Sequence, residues 1–298
     1  MDTVAGLAPD SAAEGIRLMA NDRRLFGLVV NVLAMGWEKW RLPAEDLPAL
    51  MRAAVADPCD ATAAVYRVAP YLTTRSGAIA RAYAQARAAK FDGFAEILAP
   101  LVRPGLICDM GAGDTQLVQR LSVSVGGNSR LVATDIAGTP KLDGAVSFAL
   151  QPAPHRLPLP DNSASTVIAT GMLHHMEPEM RRLLLDDVRR VLEPGGTLLL
   201  LEDTYPATDW APHSEVDACF RSLDDRGRWG FLAVTDWWGN RVMKNLADEP
   251  LPCTFMNMAG LERVIAAAGL TVCSSEYLGV VDFGGHMATP RALTVATS

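Results

Sequence analysis

The chain has 298 residues, 49% of them apolar and 20% charged, with 27 Lys+Arg against 34 Asp+Glu and a net charge of −7. That composition excludes an intrinsically unfolded chain, and the acidic balance argues against a broad electrostatic grip on nucleic acid or anionic membrane. The length suits one large domain or a domain with an appendage. Cys59, Cys108, Cys219, Cys253 and Cys273 are scattered, odd in number and without a CxxC pair. That pattern fits neither a disulfide framework nor a structural zinc site. Met1-Asp2-Thr3 lacks the start of a secretory leader, and the apolar stretch from Phe26 to Gly36 is too short to span a bilayer. The expectation is a soluble, cytoplasmic protein.

The first hundred or so residues read as helices, Ala-rich with helical apolar spacing and punctuated by Pro43, Pro48, Pro58 and Pro70. A long helical segment from about Arg75 to Leu101 stops at Pro104-Gly105. The texture then changes to short apolar runs: Leu106 to Met110, Leu131 to Thr134, Val146 to Leu150 and Ser165 to Thr170. Pro178 opens a helix whose buried stripe is Met180, Leu184, Val188 and Val191, and Pro194-Gly195-Gly196 closes it. Thr197 to Leu201 is uniformly apolar, as a strand buried on both faces requires. Strand and helix in alternation imply a parallel sheet covered on both sides. Leu261, Val264, Ile265 and Ala268 mark a last helix, followed by strands at Leu270 to Tyr277 and Ala292 to Ala296. With no helix between them, these two form an antiparallel hairpin at one sheet edge.

The chemistry concentrates in Asp109-Met110-Gly111-Ala112-Gly113-Asp114-Thr115, at the end of the first strand. Glycines there let backbone N–H groups approach a ligand at a helix N-terminus. A dinucleotide-binding turn wants Gly or Ala where this chain has Gln116, and that fingerprint has no acid two positions before the first glycine. Asp109-x-Gly111-x-Gly113 instead resembles the first motif of class I S-adenosylmethionine-dependent methyltransferases. Further matches follow in order: Asp135 ends the second strand, Leu157-Pro158-Leu159-Pro160-Asp161-Asn162-Ser163 precedes the fourth, Leu173-His174-His175 follows it, and Leu192-Glu193-Pro194-Gly195-Gly196 leads into the fifth. The set resembles the ubiquinone/menaquinone-biosynthesis type of small-molecule methyltransferase over residues 100–205 and 255–298.

The resemblance implies an α/β, Rossmann-like, seven-stranded and mostly parallel sheet with a C-terminal antiparallel hairpin, preceded by an all-helical region over residues 1–100. The methyltransferase domain would span 101–298, with a lid-like insertion at 203–256. S-adenosylmethionine would lie at the carboxyl ends of the strands. Asp109 would orient the turn and the cofactor's ammonium, Gly111 and Gly113 would make room for its methionine and ribose portions, and Thr170 would end the fourth strand at the same edge. Asp135 would accept the ribose hydroxyls, since one carboxylate can take both O–H groups of a diol, with Ile136 beside the adenine. Two positions depart from the pattern. Thr115 replaces the usual third glycine, which displaces the helix start, and Ala153 stands where an acid often holds the adenine amino group. Backbone atoms of Pro154 or His155 are the substitute.

His174 and His175 sit where the transferred methyl would face the acceptor. One of them acts as a proton acceptor, or the pair only braces the loop. No His, Cys, Asp or Glu group has the spacing of a metal site. Arg181, Arg182, Arg189 and Arg190, interleaved with Asp186 and Asp187, read as the solvated face of a helix with Arg182–Asp186 and Asp186–Arg190 pairs. The insertion holds Tyr205, Trp210, Trp229, Phe231, Trp237, Trp238 and Phe255 with Arg241 interleaved. Either they form an acceptor-binding surface, through Tyr205, Trp237, Trp238 and Arg241, or they pack a core of the insertion's own. Arg75, near Tyr71, is a further candidate contact to the cofactor carboxylate.

The expected activity is methyl transfer to a small-molecule acceptor, in secondary metabolism, without nucleic acid or membrane as partner. A catalytically silent, cofactor-binding relative serving as partner or scaffold is the alternative.

Overall fold

The computed structural model describes residues 11–298 apart from 59, 139–141, 143, 145, 245–250 and 286, so Cys59 and His286 lie outside the described residues. In chain order the elements are α1 (Ala12–Asn21), α2 (Arg23–Lys39), α3 (Leu47–Ala54), α4 (Ala61–Thr74), α5 (Ser76–Leu98), β1 (Leu106–Met110), α6 (Gln116–Ser124), β2 (Arg130–Asp135), β3 (Val146–Leu150), β4 (Ala164–Thr170), α7 (Pro178–Val191), β5 (Leu192–Asp203), α8 (Glu215–Arg221), α9 (Asp225–Trp237), α10 (Met258–Ala267), β6 (Thr271–Val281) and β7 (Thr289–Thr297). They form two compact units. One takes the chain up to Lys90 with Thr208–Phe255 and Gly279–Pro290; the other takes Phe91–Ala207, Met256–Leu278 and Arg291–Ser298. The first boundary thus falls inside α5 rather than near residue 100, and most of the 203–256 insertion groups with the N-terminal helices rather than with the sheet.

The reason lies in the side chains of the helical unit. Trp237 and Trp238 are fully buried. The Trp237 indole N–H donates to the Ala61 carbonyl at 3.1 Å, and the Trp238 ring lies 6.0 Å from Trp37 of α2. Trp229 donates to the Cys253 carbonyl at 3.0 Å, and Phe220 and Phe231 meet at 5.3 Å. These aromatics build the helical core, so Trp237 and Trp238, expected on an acceptor-facing surface, are enclosed in it. Two glycines bring α1 and α9 together: a Cβ on Gly15 would stand 2.8 Å from that of Ala233, and one on Gly230 would stand 3.1 Å from Leu18 and Leu25. Asp22 caps α2 by accepting the Arg24 and Leu25 N–H groups, and Asp60 caps α4 through Thr62 and Ala63. Pro70, read as punctuation, lies inside α4. Tyr66, whose carbonyl loses its intrahelical partner to the proline ring, is 60% exposed, within reach of water.

The other unit holds one seven-stranded sheet in the order β3-β2-β1-β4-β5-β7-β6. Strands β3, β2, β1, β4 and β5 are parallel neighbours. β7 runs antiparallel to β5, with Leu199 opposite Val295 and Asp203 opposite Arg291. Ser275–Thr294 and Cys273–Thr297 side-chain contacts advance in opposite directions along β6 and β7, as an antiparallel hairpin requires. Pro194-Gly195-Gly196 does not separate α7 from its strand as expected. β5 pairs from Leu192 onward, and the glycines fall in a register shift opposite Ala164 and Thr166. On α7 the arginine face also differs from its sequence reading. Arg182 does pair with Asp186 at 2.7 Å, but Arg190 binds Asp187 rather than Asp186, and Arg181 is buried.

Candidate cofactor and catalytic site

At the end of β1 the chain turns through Gly111 and Gly113, both with positive φ, and then through Thr115 at φ +63. Left-handed backbone costs a β-branched residue about 1–2 kcal/mol. Thr115 therefore takes the conformation of the glycine it replaces, and α6 starts directly after it. The turn is fixed to β2: Ala112 N–H donates to the Thr134 carbonyl at 3.0 Å, and Gly113 N–H to Asp135 Oδ2 at 2.8 Å. Gln151, which the sequence reading passed over, ties β3 into the same corner. Its N–H reaches the Asp135 carbonyl and its Nε2 the Thr134 hydroxyl.

Asp109 sits beneath this turn, 2% exposed. Its Oδ2 has no hydrogen-bond partner among the described residues. Burial, then the facing carboxylates of Asp135 and Asp114, push its pKa from the ordinary 3.8 up to about 7. A buried carboxyl with an open oxygen is a natural seat for a cation. Asp135 uses Oδ2 for Gly113 and Oδ1 for Ala137 N–H at 3.3 Å, and each oxygen keeps capacity for one more donor. Ile136 beside it is 57% exposed. A cationic, diol-bearing group with an apolar ring fits this donor and acceptor set.

Gly111 also meets the loop after β4, since a Cβ there would stand 2.8 Å from Met172 Sδ. That loop is clamped at both ends of Leu173. Glu202 Oε2 accepts the N–H groups of Met172 and Leu173 at 3.2 and 2.8 Å, while buried Arg181 donates to the Leu173 carbonyl at 3.3 Å. Glu202 Oε1 faces His174 Nδ1 at 2.7 Å. Burial pushes the Glu202 carboxyl up, but His174, with the N–H groups of Asp203 and Leu173, brings it below the usual range. A carboxylate on Nδ1 favours a proton on that nitrogen. The His175 ring lies tilted against that of His174, at 4.2 Å between ring centres and 41° between planes.

Ligand atoms of His174, Glu202 and Asp203 approach within 4.8 Å of one another. Glu202 is engaged by these N–H groups and Asp203 by Arg291 at 3.1 Å, so the group serves as a hydrogen-bond network.

Asp109, Gly111, Gly113, Asp135, Ile136, Thr170 and the His174-His175 pair thus share the carboxyl edge of one sheet. Pro154 and His155 occupy a turn closed by Arg156 N–H on the Ala153 carbonyl, with His155 Nδ1 3.2 Å from Met180 Sδ. Tyr205 holds α10 through its carbonyl, which accepts Met258 N–H at 2.8 Å. Arg75, Trp237, Trp238 and Arg241 belong to the helical unit. There Arg75 lies over the Tyr71 ring at 3.9 Å and pairs with Asp46 at 3.4 Å.

Residues 108–200 match the family of methyltransferase domains. This segment has the sequence pattern of a methyltransferase domain. Curated relatives of the chain include the ubiquinone/menaquinone biosynthesis C-methyltransferase of Bordetella avium, 28% identical over 185 residues that cover 55% of this chain and 66% of the relative. The Ectopseudomonas mendocina protein of the same name is 35% identical over 120 residues, covering 35% of this chain and 44% of the relative. The chain therefore spans less than two thirds of either relative's length. Among solved structures, the chain is similar to a Mesorhizobium loti S-adenosylmethionine-dependent methyltransferase (17% identity, 70% of this chain and 100% of that one, TM-score 0.48). Another is Burkholderia thailandensis 1,6-didemethyltoxoflavin-N1-methyltransferase (17% identity, 79% and 88%, TM-score 0.47).

Proposed function

We propose that the protein transfers the methyl group of S-adenosylmethionine to a small-molecule acceptor, in a secondary-metabolic role. The observation that carries the reading is the buried Asp109 carboxylate, open on one oxygen beneath the Gly111 and Gly113 turn, with Asp135 at the end of the neighbouring strand. When bound, the cofactor supplies an electrophilic methyl on a sulfonium that is already a good leaving centre. The chain's own tasks are to align and to manage a proton. Asp109 holds the ammonium and Asp135 the ribose diol, and close approach at Gly111 and Gly113 fixes the cofactor against the sheet edge. His174, oriented by Glu202, takes a proton where the acceptor must lose one. The composition, arginine-rich over lysine, is all that supports the metabolic setting.

Titration calorimetry with S-adenosylmethionine tests the reading. Wild-type protein is expected to bind, and Asp135→Ala to lose ~1.5–3 kcal/mol, the range for hydrogen bonds to a charged group. A folded Asp135→Ala protein with unchanged affinity removes the diol assignment, and wild-type protein that does not bind removes the proposal.

A further inference from the structure

Arg291 is the second residue of this edge left with an unused polar atom. It enters from β7, opposite Asp203 at the last rung of the β5–β7 ladder. The residue is 7% exposed. Its Nη2 lies 3.1 Å from Asp203 Oδ1, its guanidinium carbon sits 5.0 Å above the centre of the Phe94 ring, and its Nη1 has no hydrogen-bond partner among the described residues. Nη1 points to Gly171, the residue after β4, where a Cβ would stand 3.8 Å from it. Two contacts thus fix the guanidinium plane, and the missing side chain of Gly171 leaves room at the unused donors. Enclosing an arginine and leaving donors unsatisfied is costly unless something else accepts them. The position decides what that is. β1 and β2 carry Asp109 and Asp135, whereas Arg291 stands on the β4–β5–β7 side of the edge, the same side as His174 and Glu202.

We infer that Arg291 Nη1 binds an oxygen of the methyl acceptor, a hydroxyl or carbonyl on a compact apolar body. This deepens the methyltransferase reading and rests on it. Charge selects the class of oxygen. Asp203 already neutralises Arg291, and Glu202 already faces His174 and Arg181. A permanent carboxylate on the acceptor would add an uncompensated buried charge, whereas a phenol, enol or ketone oxygen accepts the hydrogen bond without one.

The test uses wild-type protein saturated with S-adenosylhomocysteine and three probes of similar size: phenol, toluene and benzoate, with Kd from ligand-observed NMR. Phenol is expected to bind ~10-fold or more tighter than toluene, as a charge-assisted hydrogen bond implies, and tighter than benzoate. Breaking one half of a buried pair can unfold the protein, so the deciding variant is Asp203→Asn with Arg291→Met, which leaves no orphaned charge, and Asp203→Asn alone is read beside it with a melting curve to show that it is folded. The double variant is expected to bind phenol and toluene equally while keeping its S-adenosylhomocysteine affinity. Asp203→Asn alone should turn the preference toward benzoate, because the guanidinium charge is then free. Equal phenol and toluene binding by wild-type protein, or a preference that survives Arg291→Met, overturns the assignment. Loss of S-adenosylhomocysteine affinity in the double variant moves Arg291 to the cofactor and overturns it as well. Wild-type protein that binds no S-adenosylhomocysteine at all defeats the methyltransferase reading itself, a result the probe ratios do not produce.

Discussion

The Asp109 carboxyl is costly to ionise, because burial first and Asp135 and Asp114 after it raise its pKa from 3.8 to about 7. The folded state then binds a proton that the unfolded chain has released, so stability falls as pH rises from about 4 to about 7. The loss is on the order of 4 kcal/mol at its limit. Asp109→Asn is therefore expected to melt at a higher temperature than wild type at pH 8, and to lose the dependence on pH in that window. The same variant should bind S-adenosylmethionine more weakly by ~1.5–3 kcal/mol. A melting curve and a calorimetric titration at one pH check both signs. Gain of stability with loss of affinity marks a charge held for a ligand. His174 makes a second residue-level case. His174→Ala should lower kcat by ~10²–10⁴ with cofactor affinity intact. Glu202→Gln keeps the shape of the clamp but no longer favours a proton on Nδ1, so it should shift the pH–rate profile. Normal turnover in His174→Ala, measured with the acceptor once found, would leave the histidine as a loop brace.

At the level of elements, the small residues between α1 and α9 give the clearest expectation. Gly15→Val places branched carbon where Ala233 and the Gly230 carbonyl already sit at 2.8 and 3.4 Å. Overpacking of that kind costs ~1–3 kcal/mol, to be read from the denaturant midpoint, with little effect on kcat in the protein that stays folded. Elements were legible in the sequence where one rule governs them. The first and third strands appear with the expected bounds, because a short apolar run between turn residues in an α/β chain has few alternatives. The places of Asp109, Gly111, Gly113 and Asp135 were legible for a related reason: they lie at the ends of two strands and in the turn that follows one of them. Glu202 and Arg291 were not, since each acquires its meaning from a partner distant in sequence, the loop after β4 for Glu202 and Asp203 of β5 for Arg291. The acidic pair Glu202-Asp203 ending an unbroken apolar strand was a usable signal, whereas Arg291 had none. Arg181 was misread because helical spacing shows which residues share a face, not which carbonyl a long side chain reaches across to. Trp237 and Trp238 were open to two readings, and only the tertiary packing against Ala61 and Trp37 separates them.

On the scale of the whole molecule, the helical unit is assembled from three stretches of chain. A fragment starting at Phe91 keeps every strand but removes the partners of Trp237, Trp238, Gly230 and Ala233. It is expected to show sheet signal in the far ultraviolet, a collapsed near-ultraviolet tryptophan spectrum, dye binding and self-association. A sharp, cooperative tryptophan transition in that fragment would show that Thr208–Phe255 packs without the N-terminal helices. The position of β7 carries a different consequence, for the order of events at the ribosome. β7 comes last in sequence but lies inside the sheet, between β5 and β6. While translation proceeds, the apolar edge of β5 at Leu198–Leu201 emerges early and has nothing to pair with, and β6 when it appears cannot dock in its final place. Such an edge is a template for association with other nascent chains. A premature stop just before Thr289 would therefore be as damaging to the sheet as one far upstream, and synthesis of this protein leans on whatever shields nascent chains until the closing strand is out.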